Sequence, residues 1–125
     1  MNGRALVCVV DDHESVRESL PDLLTYSGFD VKAFESAETY LDSEVVDQTS
    51  CLIVDVGLPG MSGPDLQREL KRRGFETPFI FITAQGDKSL PAQLIKRGAV
   101  ACLSKPFSDT ALLDAVNSAL DTRQP

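Results

Sequence analysis

Asp55 closes the apolar run Cys51-Leu52-Ile53-Val54 and is followed by Val56-Gly57-Leu58-Pro59-Gly60-Met61-Ser62-Gly63. A short apolar run closed by turn residues reads as a fully buried strand, and Pro59 and Gly60 forbid its continuation. The same arrangement recurs along the chain. Ala5-Leu6-Val7-Cys8-Val9-Val10 ends in Asp11-Asp12, Phe79-Ile80-Phe81-Ile82 ends in Thr83, and Ala99-Val100-Ala101-Cys102-Leu103 leads into Ser104-Lys105-Pro106-Phe107. In a parallel sheet these strand ends share one edge, the edge at which open α/β sheets bind ligands. Carboxylates about 5 Å apart repel by roughly 3 kcal/mol per pair at an effective dielectric of about 20. Lys105 offsets one charge. The remaining hard oxygen donors suit Mg²⁺, which keeps several waters and accepts phosphate oxygens.

The elements that must position these groups follow from periodicity. Glu14 to Ser27 carries Val16, Leu20, Leu23 and Leu24 at helical spacing before Gly28, with Pro21 expected to kink it or distort one turn. Phe29 to Phe34 alternates as a half-exposed outer strand does, and Ser36 to Val46 reads as a helix with Ala37, Tyr40, Leu41 and Val45 on one face. Ser62-Gly63-Pro64-Asp65 opens a helix through Leu66 and Leu70 to Gly74. A further helix starts near Leu90, late because Pro91 must sit in its first turn, and is expected to be short and mobile. Ser108 or Asp109 caps a final helix whose stripe is Leu112, Leu113, Val116 and Leu120. Strand and helix alternate five times, which implies a parallel sheet with helices on both faces and right-handed crossovers.

Composition narrows the function. At 125 residues the chain is one ordinary domain, 42% hydrophobic and 25% charged. No apolar run approaches the length of a membrane span, and the first residues lack the layout of a signal peptide, so the reading is cytoplasmic. Nineteen acidic against 12 basic residues, a net charge of −7, argues against gripping a nucleic-acid backbone. Cys8, Cys51 and Cys102 lie far apart inside apolar runs and read as buried reduced thiols. The only histidine, His13, excludes a multi-histidine metal site and reads as exposed and passive.

Asp11-Asp12, Asp55, Thr83-Ala84 and Lys105-Pro106, at these places in a chain of this pattern, closely resemble the receiver domain of two-component response regulators. The phrases Leu58-Pro59-Gly60-Met61-Ser62-Gly63, Thr83-Ala84-Gln85-Gly86-Asp87 and Lys105-Pro106-Phe107 are most similar to receivers of LuxR-type transcription regulators from nitrogen-fixing and related bacteria. The resemblance spans essentially the whole chain. It implies a flavodoxin-like (βα)5 doubly wound sheet in strand order 2-1-3-4-5, with residues 1–121 as the receiver and 122–125 as a tail or the start of a linker.

The resemblance also implies roles. Asp55 is the phosphoacceptor, fed by the phosphohistidine of a sensor histidine kinase, and Asp11, Asp12, Asp55 and the backbone carbonyl of Gly57 hold Mg²⁺ or Mn²⁺. Thr83, Ala84 and Lys105 bind the phosphoryl group and couple it to an output face around the fourth helix, fifth strand and fifth helix. The peptide before Pro106 is a cis candidate. Output runs through a C-terminal DNA-binding domain beyond this chain or through a separate protein, with homodimerisation on phosphorylation as a further expectation. The domain is expected to be a signalling phosphoacceptor and not a turnover enzyme.

Three positions depart from the family's habit. Cys102 stands where an aromatic switch residue is usual, Pro91 delays the fourth helix, and Gly57 leaves the acceptor open. The alternative reading is therefore a degenerate receiver that binds partners without phosphorylation. An FMN carrier of the same fold would need a Ser/Thr/Gly phosphate loop where Asp11-Asp12-His13-Glu14 stands, and an aspartyl phosphatase would need an Asp-x-Asp motif on the first strand.

Overall fold

A computed structural model describes residues 4–83 and 90–123. Five parallel strands, β1 (Leu6–Val10), β2 (Asp30–Phe34), β3 (Cys51–Asp55), β4 (Phe79–Thr83) and β5 (Ala101–Ser104), form one sheet in the order β2-β1-β3-β4-β5. Between and after them run α1 (Glu14–Tyr26), α2 (Ala37–Leu41), α3 (Gly63–Arg72), α4 (Leu90–Lys96) and α5 (Asp109–Arg123). This is the order expected from the resemblance.

Because successive strand residues point to opposite faces, each apolar strand feeds two cores. Val7, Val9, Cys51, Ile53, Ile80 and Ile82 face one way and pack with Leu20 and Leu24 of α1 and Leu112 and Val116 of α5. Cys8, Val10, Leu52, Val54, Phe79 and Phe81 face the other way and meet Tyr40 of α2, Leu66 and Leu70 of α3 and Leu94 of α4. The buried runs of β1, β3 and β4 are thus covered on both sides, as all-parallel sheets require. β2, at the edge, alternates between exposed and half-buried residues.

Several boundaries differ from the sequence reading. α1 continues past Pro21 to Tyr26. The predicted helix over 36–46 is only Ala37–Leu41, followed by a 3₁₀ turn at Val46–Gln48. Side-chain hydroxyls compete for its backbone: Ser43 Oγ donates to the Tyr40 carbonyl at 2.7 Å, and Thr49 Oγ1 donates to that of Val45 at 2.8 Å. β5 starts two residues later than predicted and is half-buried, so Cys102 is also only half-buried, unlike Cys8 and Cys51. None of the three is in a disulfide. In α5, Ala115 and Ala119 take buried places beside Leu112 and Val116, whereas Leu113 and Leu120 are partly buried. That helix also carries on through Thr122 and Arg123.

Other local signals are obeyed. Ser62 Oγ accepts from the Asp65 amide at 3.2 Å while Asp65 Oδ2 accepts from the Ser62 amide, a capping box with Pro64 in the first turn. α4 has seven residues with Pro91 second. Among the described residues, no helix is long and apolar enough to cross a membrane.

Candidate functional site

The strand order reverses between β1 and β3, so the crevice at their carboxyl ends is the topological switch point of the sheet. Asp11 follows β1 directly, fully buried, with its amide donating to the Phe34 carbonyl at 3.0 Å. Asp12 is exposed beside it. Asp55 ends β3 with its side chain 10% exposed. Its Oδ1 accepts from the Gly57 amide at 3.1 Å, which fixes the carboxylate and turns Oδ2 towards Lys105. The turn after Asp55 is tight: a Cβ on Gly63 would stand 3.0 Å from the Asp55 carbonyl oxygen and 3.1 Å from both Val54 and Phe81. Glycine lets α3 begin this close to β3 without displacing those neighbours.

Lys105 follows β5 and reaches back across β4. Its Nζ lies 3.8 Å from Asp11 Oδ2 and 4.0 Å from Asp55 Oδ2, ion-pair distances too long for hydrogen bonds. The Lys105–Pro106 peptide is cis. Thr83, buried at the end of β4, accepts the Lys105 amide on its carbonyl at 2.9 Å, and its hydroxyl lies 3.4 Å from that of Ser104. Ala84, named with these residues from the sequence, lies outside the described residues.

The electrostatics are those of an anion-rich crevice with too little positive charge. Burial pushes the Asp55 carboxyl above its ordinary range. The Gly57 amide and Lys105 pull it down, and the neighbouring Asp11 and Asp12 push it up again. Asp11 Oδ2 is buried and has no hydrogen-bond partner among the described residues. Asp11, Asp12, His13 and Asp55 each offer one ligand atom within 4.8 Å of the others, an arrangement able to hold a metal ion.

His13 adds a contact that the sequence reading does not include. Its side chain is 59% exposed, as expected, but it stands close to the acidic groups: Nδ1 lies 3.0 Å from Asp11 Oδ1, 3.4 Å from Asp12 Oδ1 and 3.8 Å from Asp55 Oδ2. Its place directly after the two aspartates was the available signal. Three more residues support the site from outside. Arg17 Nη1 donates to the Asp11 carbonyl at 3.1 Å, Ser104 pairs with Thr83, and Glu38 Oε2 accepts from the Met61 amide at 2.9 Å in the loop after Asp55. Ser104 follows from strand register, whereas nothing local in the sequence points from Glu38 to Met61.

Known proteins match this chain along almost its full length. The response regulator receiver domain family matches residues 7–117. Nodulation protein W of Bradyrhizobium diazoefficiens is 49% identical over 118 residues, covering 94% of this chain and 52% of that protein. Transcriptional regulatory protein TdiR of Thauera aromatica is 46% identical over 114 residues, covering 91% and 50%. Among solved structures, FixJ-N superposes with a TM-score of 0.85 at 37% identity, covering 96% of each chain. The chain spans about half the length of the curated relatives it matches. Sequence, strand order and relatives converge, and the chain belongs to the response regulator receiver domain family of two-component signalling.

Proposed function

We propose that this domain is a phosphorylation switch in which Asp55 accepts a phosphoryl group from the phosphohistidine of a sensor histidine kinase. The observation that carries the reading is the convergence of Asp11, Asp12 and Asp55 on one crevice with the Lys105 amine beside them. The donor set fits a divalent cation, since it offers hard carboxylate oxygens and a buried Asp11 Oδ2 that has no hydrogen-bond partner among the described residues. Asp11, Asp12, Asp55 and the backbone carbonyl of Gly57 are the groups that would hold Mg²⁺ or Mn²⁺. Bound there, the ion supplies the positive charge that offsets repulsion between a carboxylate and an anionic phosphoryl group.

The chain's own residues do the rest. The Gly57 amide holds Asp55 Oδ1, which leaves Oδ2 as the nucleophile facing Lys105. The new O–P bond forms as the donor's P–N bond breaks, and the electron pair leaves with the donor imidazole nitrogen. Lys105 then pairs with an oxygen of the transferred group, as it already does with the carboxylates. Thr83 exchanges its contact with Ser104 for one with the phosphoryl group, and Ala84 lies beside it in sequence. That exchange biases the face formed by α4, β5 and α5.

Residues 1–121 form the receiver in this reading, and 122–125 a tail or linker start. Output passes to a C-terminal DNA-binding domain or to a separate protein, and phosphorylation favours a homodimer. With a net charge of −7 the domain leaves nucleic-acid binding to its output partner. It is a phosphoacceptor that assists its own phosphorylation and dephosphorylation, without turnover of a substrate. A cytoplasmic location belongs to the same reading.

Intact mass after incubation with Mg²⁺ and acetyl phosphate tests the proposal. One phosphoryl adduct is expected, absent in Asp55→Asn and absent in chelator. An adduct that persists in Asp55→Asn moves the acceptor elsewhere. No adduct from acetyl phosphate or a kinase, and no response to beryllofluoride, leaves a fold kept for binding alone.

A further inference from the structure

We propose that His13 is a nitrogen ligand of the strand-end cation site and shifts its preference from Mg²⁺ towards ions that favour imidazole, such as Ni²⁺, Co²⁺ and Mn²⁺. The inference rests on the reading that the site holds a divalent cation, and adds a specificity-determining residue to it. His13 is the N-cap residue of α1, with extended backbone, but its side chain makes no capping bond. The His13 amide donates to Asp11 Oδ1 at 2.8 Å, and that turn carries the ring over the crevice although most of the side chain is exposed.

The distances are those of a coordination shell. Ligands about 2.1 Å from an octahedral ion stand about 3.0 Å apart at adjacent positions and about 4.2 Å apart at opposite ones. Nδ1 lies 3.0, 3.4 and 3.8 Å from oxygens of Asp11, Asp12 and Asp55, within that range on all three sides. A second observation points to a ligand: Asp11, whose side chain is 1% exposed, has its Oδ2 in the same crevice without a hydrogen-bond partner among the described residues. An all-oxygen set suits Mg²⁺, whereas one imidazole raises affinity in the order Mn²⁺, Co²⁺, Ni²⁺. Nδ1 sits at hydrogen-bond distance from Asp11 Oδ1. As a ligand it presents its lone pair, with the proton on the outward Nε2.

The full chain without an affinity tag is the right sample, because His13 is then its only histidine. Dissociation constants for Mg²⁺, Mn²⁺, Co²⁺ and Ni²⁺ are measured by calorimetry in wild type, His13→Ala, His13→Gln and Asp55→Asn. The Ni²⁺-to-Mg²⁺ affinity ratio is expected to fall at least tenfold in both His13 variants. Pulsed electron paramagnetic resonance of the Mn²⁺-loaded protein is expected to show imidazole nitrogen coupling that His13→Ala abolishes. If the ratio is unchanged and no nitrogen couples, while Mg²⁺ still binds and Asp55→Asn weakens it, His13 is only a neighbouring ring and the phosphoacceptor reading stands. If no divalent ion binds, or binding is indifferent to Asp55→Asn, the inference and that reading fall together.

Discussion

Lys105 Nζ stands 4.0 Å from Asp55 Oδ2, joined to it by charge and not by a hydrogen bond. In the proposed transfer a strong, short bond would occupy the attacking oxygen; a 4.0 Å separation would leave it open while lowering the repulsion it feels. The same amine is 3.8 Å from Asp11 Oδ2, so one cation serves two carboxylates.

Replacing it with Lys105→Met separates its two effects. Loss of a positive group from a transition state that gathers negative charge is expected to slow phosphoryl uptake by about 10²-fold. Mg²⁺ affinity is expected to hold or rise, since a competing cation has gone. Single-turnover uptake from acetyl phosphate beside a Mg²⁺ titration checks both. Equal loss of both properties contradicts the assignment.

The raised carboxyl of Asp55 predicts a pH dependence. A group whose folded pKa lies above its unfolded value contributes stability while it is protonated, and that contribution is lost as pH rises through the folded pKa. At neutral pH the ionised Asp55 therefore destabilises the metal-free domain. Asp55→Asn is expected to melt roughly 2–5 °C higher than wild type at pH 7 in chelator. The gap should close on acidification towards the ordinary carboxylate range, and also on adding Mg²⁺. Thermal melts across that range decide it.

A side chain at Gly63 should press on the site. A Cβ there meets the Asp55 carbonyl and the Val54 and Phe81 side chains at 3.0–3.1 Å. Gly63→Ala is expected to cost about 1–3 kcal/mol in urea unfolding and to weaken Mg²⁺ binding by displacing the Asp55 backbone. An alanine variant with unchanged metal affinity would show that the approach of α3 does not set the site.

Away from the crevice, stability and function should separate. Tyr40 donates to Thr49 Oγ1 at 2.7 Å, and Cys8 Sγ lies 3.4 Å from the same oxygen, all buried. Burial pushes both the Tyr40 and the Cys8 groups above their ordinary pKa. Thr49→Val strands the Tyr40 hydroxyl and should cost about 1–3 kcal/mol. Adding Tyr40→Phe should recover part of that loss. Mg²⁺ affinity is expected to be unchanged throughout, measured by calorimetry.

Much of this was legible where local and tertiary demands agree. Cys51–Asp55 is apolar on both faces because it pairs with a strand on each side and is covered above and below, so run length alone identified it. Ser62 and Pro64 opened α3 as their chemistry requires. Where side chains compete for the backbone, or tertiary pairing decides exposure, periodicity misleads. α2 ends after Leu41 because Ser43 and Thr49 take backbone carbonyls for themselves, which no periodicity reveals. Cys102 is half-buried because β5 is an edge strand, paired with β4 alone. The approach of the His13 ring to the aspartates is not legible, because one exposed histidine carries no pattern; only the turn onto Asp11 aims the ring.

The most direct test of the account is to find where the phosphoryl group goes. The Mg²⁺ and acetyl phosphate reaction is quenched with borohydride, which reduces an acyl phosphate to an alcohol, and the peptides are sequenced by mass spectrometry. Homoserine is expected at position 55 and nowhere else. Reduction at Asp11 or Asp12 instead, with Asp55 intact, would contradict it.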